Sequence, residues 1–454
     1  MAMYNSLLLS TNRAYLLVGV LLYAILAVYW GSHIGTYGYY NILNVLVFCS
    51  YSFVLWNSCG KSEYFYTESR LALTVFTYSL VFVGLYMLLS HYYTGNTFIF
   101  SEADARNYER TSFAIKDMSF GQAIDYIVYQ RGWAFEDWGA PMTMGFVLKM
   151  IPSKLFLNFF YVLLNTIGAL LLFRIGKKLM SAQYAYMSSL THAISSYSMF
   201  FMGVFLKEEI MVFLVIVSVY FLYEYWQSKN LIYIVIGFIA SFLIVFFRPA
   251  VAVFVWISYG TLLMFVSKDN VLKGFFILIA LAVAVYTYTM MRQSASRFED
   301  ASEYVNSTFS ETTKYVIYLG GLIGPFPALL QMHELITYKP LLGAGLLYKF
   351  LLFFAFWKGF IHCIKSHCVY MYPVFAFVIL EIIGLYFVLD TLELRKSMPH
   401  IPFFILAAFW FMDRYDEDAD EEVQQTLYYV WTRREFYVCI FLVFAMTLVW
   451  NTLK

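Results

Sequence analysis

Charge is what this chain has least of: Asp, Glu, Lys and Arg make up 13% of its 454 residues, against 61% hydrophobic and 21% aromatic residues. A soluble globule carries about a quarter of its residues as charges, so that class is excluded. The net charge is +1 and no Lys/Arg block occurs, so the electrostatic footprint of a nucleic-acid partner is missing. Cysteine is also scarce. The five residues, Cys49, Cys59, Cys363, Cys368 and Cys439, lie in apolar runs or near short joints, and no disulfide framework is implied. The sequence contains no GxxxxGK[ST], HExxH or GxSxG and no paired cysteine clusters, so soluble-type nucleotide chemistry has no support. Alternating ten-residue strands are missing, which argues against an outer-membrane barrel. No repeat or low-complexity linker divides the chain, which is read as one transmembrane domain over 1–454.

What the chain does have is a series of apolar runs of about 17 to 22 residues, the length a helix rising about 1.5 Å per residue needs to cross a hydrocarbon core about 30 Å thick. The fold class expected is all-α, a polytopic integral membrane protein with about thirteen transmembrane helices. Spans are expected near 14–31, 39–57, 71–92, 143–173 (broken before Pro152), 181–203, 208–227, 230–247, 250–267, 272–291, 342–361, 369–389, 399–412 and 436–452. The first run is too long for a signal-peptide core and no small-residue cleavage site follows it, so it is expected to be retained. Within the domain, three N-terminal helices (1–93) precede an outer loop (94–141), central helices (142–291), a second outer loop (292–341) and C-terminal helices (342–454).

Cytoplasmic joints are enriched in Lys and Arg. With the 94–141 loop outside and the N-terminus inside, the inner joints hold Lys61 and Arg70, Arg174, Lys177 and Lys178, Lys229, Lys268 and Lys273, Lys358 and Lys365, and Arg433 and Arg434. Every inner joint is then basic. The stretch from Gly95 to Pro141 carries seven acidic and four basic residues, and within it residues 113–128 read as an interfacial or a solvated loop helix.

Polar residues that interrupt apolar runs gather on that same outer face. Asp104 in EADARNY has Glu102 two residues before it and Tyr108 four after, which puts Asp104 and Tyr108 on one helical face. Lys207, Glu208 and Glu209 stand between two apolar runs and belong at a boundary or a polar cavity, because each charge in hydrocarbon would cost roughly 2.5 to 3.5 kcal/mol. Arg248 precedes Pro249, a residue suited to the first turn of a helix. Arg395, Lys396 and His400 lead into a late apolar run. The Gly-Pro-rich stretch Tyr318 to Pro327 reads as a re-entrant or an interfacial segment. The HCIKSHC joint, His362 to Cys368, is read as a solvated loop with a metal site as the lesser alternative. Asn306 matches a glycosylation acceptor, a three-residue match given no weight.

These positions resemble the GT-C superfamily of polytopic glycosyltransferases and, more loosely, the Wzy and EpsG-like polymerases of bacterial surface polysaccharide. The resemblance is carried by Asp104, Ala105 and Tyr108, by DWGAP (Asp137 to Pro141), by LKE (Leu206 to Glu208), by FRP (Phe247 to Pro249), and by Arg395 followed by Pro402. Ala140 stands where relatives have an aromatic residue, and three helices rather than one precede the loop. The resemblance implies transfer of a sugar from a polyprenyl-phosphate carrier to a glycan or lipid acceptor at the outer face of a bacterial cytoplasmic membrane, with other polysaccharide-assembly proteins as partners.

A phosphate-linked donor needs cations for its leaving group, and the attacking hydroxyl needs a base. Asp104 is expected as base or acceptor-orienting residue, and Arg248, Arg395 and Lys207 on the lipid phosphate. Glu208 is expected to hold Lys207 or a sugar hydroxyl, and Glu102, Tyr108, Asp137 and His400 complete the substrate-binding set. No cofactor is assigned, and metal dependence is left open, since Glu102 and Asp104 have the chemistry to share a divalent ion. The alternatives are a repeat-unit polymerase, a flippase of lipid-linked sugars, or a structural subunit of an assembly complex.

Overall fold

The computed structural model describes residues 49–59, 61–95, 103–133, 135–266, 318–319, 321–323, 339–389 and 396–418. Among the described residues the chain is mostly helical and has no strand. After a helical stretch at 49–58 come α1 (Glu68–Thr94), α2 (Ala103–Ile115), α3 (Phe120–Asp125), α4 (Gly139–Met150), α5 (Lys154–Leu179), α6 (Ala182–Ala193) and α7 (Ser196–Gly203). They are followed by α8 (Lys207–Ser228), α9 (Leu231–Leu243), α10 (Pro249–Val266), α11 (Lys339–Lys365), α12 (Tyr372–Leu389) and α13 (Ile401–Asp418).

Three helical stretches among the described residues, Glu68–Leu88, Lys154–Leu179 and Lys207–Ser228, are long and apolar enough to cross a membrane. Leu231–Phe246, Pro249–Met264 and Val369–Leu385 are apolar but shorter. The runs near 14–31, 272–291 and 436–452 lie outside the described residues, as do Asn306, Cys439 and half of Tyr318 to Pro327.

Local chemistry explains the breaks. Pro152 lacks the N–H a helix interior requires, and α4 ends before it while α5 starts after it. The run at 181–203 is two helices rather than one, because Ser195 is extended (ψ 147°) between α6 and α7. The helix expected over 113–128 is likewise divided. α2 ends at Ile115, and Ser119 starts α3 afresh through a capping box with Gln122, since its hydroxyl and backbone together satisfy a reciprocal pair with that residue. Ile115, Ala123 and Ile127 form a small apolar cluster there, against Met118, Trp133 and Trp138, while Asp117 stays exposed.

Apolar residues lie both inside and on the surface of the large helices, and a minority of polar ones are buried among them. α1 exposes Leu73, Leu80 and Leu88 but buries Ser79, whose hydroxyl accepts from Asn165 Nδ2 at 3.1 Å; the same nitrogen donates to Ala193 O at 2.8 Å. Small residues permit close backbone approach: a Cβ on Gly176 of α5 would sit 2.7 Å from Ala185 Cβ of α6. A side chain remote in sequence clasps the start of α6. Asp413 of α13 accepts from the Ser181 N–H at 2.8 Å and from the Ser181 hydroxyl at 2.6 Å.

Candidate functional site

The N-terminus of α8 is where the predicted residues meet. Phe205 sits in the left-handed region (φ 55°) and is fully buried, a conformation that costs a bulky residue about 1–3 kcal/mol. That turn delivers Lys207, Glu208 and Glu209 to the first turn of α8. The two carboxylates suit the partial positive charge at a helix start, and Lys207 does not. Its offsetting partner is Asp137, whose Oδ1 lies 2.5 Å from Lys207 Nζ. Tyr108 donates its hydroxyl to that same Oδ1 at 3.0 Å. Three of the predicted residues, from α2, from the turn before α4 and from α8, therefore share one carboxylate. Trp133 packs edge-on against Tyr108, with ring centroids 5.6 Å apart.

Asp104 is exposed at the first turn of α2, one helical turn before Tyr108 and hence on its face of the helix. It stands at the rim of the cluster. α2 is anchored by a pair the sequence did not single out, Lys154 Nζ to Glu109 Oε1 at 2.5 Å.

Behind the rim, DWGAP and FRP touch. Gly139 lies against the ring of Phe247, so closely that a Cβ there would be 2.5 Å from it. Phe247 is buried and leads into Arg248, after which Pro249 opens α10 as expected. Arg248 Nη2 lies 3.5 Å from Glu208 Oε1, and its Nη1 donates to Lys396 O at 3.1 Å. Glu208 thus meets Arg248, while Lys207 meets Asp137, a pairing the sequence reading did not name. The reason is geometric: consecutive residues on a helix point about 100° apart, so Lys207 turns to the rim and Glu208 turns inward.

Deeper still lies a group assembled from three further elements. His400, in the turn before α13, is fully buried, and its Nδ1 is 3.3 Å from Glu381 Oε2 on α12. Lys349 of α11, also buried, donates to Gly321 O at 2.8 Å. Both Lys349 and Arg248 are near enough to attract the Glu381 carboxylate. Sequence reasoning missed Lys349 and Glu381, although a signal existed: each is a lone charge inside an apolar run, LLYKFLLFF and FVILEIIG.

Arg395 and Glu102 lie outside the described residues, and with Glu102 goes the pairing around a divalent ion. Among the described residues no group of three His, Cys, Asp or Glu side chains is placed to hold a metal. The HCIKSHC joint is a helix C-terminal turn in which Cys363 Sγ donates to Cys368 O at 3.4 Å. The described cysteines are all free.

No family model matches the chain, and no curated protein matches it either.

Proposed function

We propose that this chain is a membrane glycosyltransferase. It moves sugar from a polyprenyl-phosphate-linked donor to a glycan or lipid acceptor at the extracytoplasmic face of a bacterial cytoplasmic membrane, in surface-polysaccharide assembly. The observation that carries this reading is a set of ionisable groups enclosed among the helices, Lys207 on Asp137, Arg248 on Glu208 and His400 beside Glu381. Ionisable groups inside a membrane domain are expensive and persist where a substrate needs them.

The chemistry divides among them. Arg248, still partly exposed, meets a departing phosphate, with Lys207 and Arg395 adding positive charge. Asp104, at the rim, serves as base or orients the acceptor, and Tyr108 and Asp137 hold Lys207 in place. Joining of whole lipid-linked repeat units is the same chemistry on a larger donor.

Asp104→Asn keeps shape and removes basicity. A correctly inserted variant is expected to lose about 100-fold or more in transfer rate, measured as polymer or product formed per molecule of protein. Polymer at the normal rate would refute the assignment. Conversion of a lipid-linked sugar by purified protein in detergent separates the enzyme from a flippase, which needs a membrane to act across.

A further inference from the structure

The pair formed by His400 and Glu381 has hydrogen-bonding capacity that the protein does not use. Their side chains are 0% and 1% exposed, and neither ring nitrogen nor either carboxylate oxygen has a hydrogen-bond partner among the described residues. The 3.3 Å approach of Nδ1 to Oε2 brings the two side chains together without the alignment of a formed bond. A buried polar group left unmet is destabilising, so an arrangement that leaves several unmet at one point is built to receive something that meets them. A sugar hydroxyl does so, since it both donates and accepts.

The environment of the ring sets its role. Glu381 lies on the Nδ1 side of the ring, and a hydrogen carried there leaves the Nε2 lone pair available. The charged groups packed around the ring include Glu381 from α12 and Lys349 from α11. Arg248, before α10, is held near Glu381, and Glu208 of α8 is held on Arg248. Arg248 also bonds Lys396 O, four residues before His400 in the same turn, so the phosphate-binding cation and the imidazole belong to one structural unit.

We propose, resting on the glycosyltransferase reading above, that His400 accepts the proton of the attacking hydroxyl, that Glu381 positions it, and that Asp104 orients the acceptor. The acceptor oxygen forms its bond to the anomeric carbon as the bond from that carbon to the phosphate oxygen breaks. The bonding pair leaves with the phosphate, whose charge Arg248 meets. The hydroxyl proton passes to His400 Nε2 and returns to water before the next turnover.

The test compares the wild type, His400→Gln, Glu381→Gln and Asp104→Asn as full-length protein in detergent, with polyprenyl-linked sugars extracted from the source cells as substrate. Product formation is followed against pH, and binding of polyprenyl monophosphate is measured in parallel to establish that each variant is folded. Wild-type kcat should fall on the acid side as the ring takes up a proton. His400→Gln should lower kcat by about 100-fold or more and abolish that acid limb, with phosphate binding and KM little changed. Glu381→Gln, which keeps the shape of the side chain, should lower kcat about tenfold and displace the acid limb, a shift that a packing role alone does not produce.

An acid limb that survives in His400→Gln, or one that disappears in Asp104→Asn, overturns the inference and leaves the glycosyltransferase reading standing. If His400→Gln does not fold, an unmoved pH profile in Glu381→Gln overturns it equally. No conversion by the wild type removes the reading and the inference together.

Discussion

At the C-terminal end of α8, Glu224 meets Lys178 at 2.7 Å, and nearby Arg174 forks onto both oxygens of Glu68 through contacts of 3.1 and 2.7 Å. At the other end, 16 residues or roughly 24 Å away at 1.5 Å per residue, Glu208 is wholly buried and meets Arg248 at a looser 3.5 Å. Arg174 and Glu68 are close-fitting and well exposed, as ion pairs that pin two helices together at a wet surface should be. The inner members of the other group are buried. The difference separates exposed charge that pins helices together from charge enclosed among them.

The contrast is broken most severely by Arg248→Gln. Removing one partner of a buried pair strands the other charge, so the variant should lose about 3–5 kcal/mol of stability, read as a lowered thermal midpoint in detergent, together with most of its transfer activity. Adding Glu208→Gln should recover the midpoint and not the activity. Recovery of both would show that the pair is only structural.

Gly139→Ala should have an intermediate effect. The new methyl would press on the ring of Phe247 and displace the turn that carries Arg248, at a cost of about 1–3 kcal/mol. Transfer should drop about tenfold, and Phe247→Leu in the same background should restore part of it by making room. The smallest effect belongs to the other end: Glu68→Gln should cost about 1 kcal/mol or less, lessen further with salt, and leave transfer unchanged. A loss of activity there would erase the distinction between the two ends.

Helices were legible in this sequence wherever apolar length and punctuation agreed. Pro152 divided α4 from α5, and Pro249 opened α10. The split of 181–203 was not legible, since SSYSM offers hydroxyls that serve a helix interior as readily as a break. The Ser119–Gln122 capping box was written in the chain and overlooked in favour of the apolar face of 113–128. At the site, Lys207, Glu208 and Arg248 could be named because they interrupt apolar runs at their ends, where charge stands out, and Tyr108 and Asp137 through the polar loop and the family resemblance. Their pairing could not, because which carboxylate meets which cation depends on helix rotation and on a left-handed Phe205. Lys349 and Glu381 were hidden in mid-helix, each a single letter in a run that reads as lipid-facing.

The clasp of Asp413 on Ser181 spans 232 positions of chain. During synthesis the start of α6 goes without that partner until the final described helix has been made. Completion of the bundle is thereby tied to arrival of its late segment, and a polypeptide cut short before Asp413 would leave that helix start without the carboxylate that meets it.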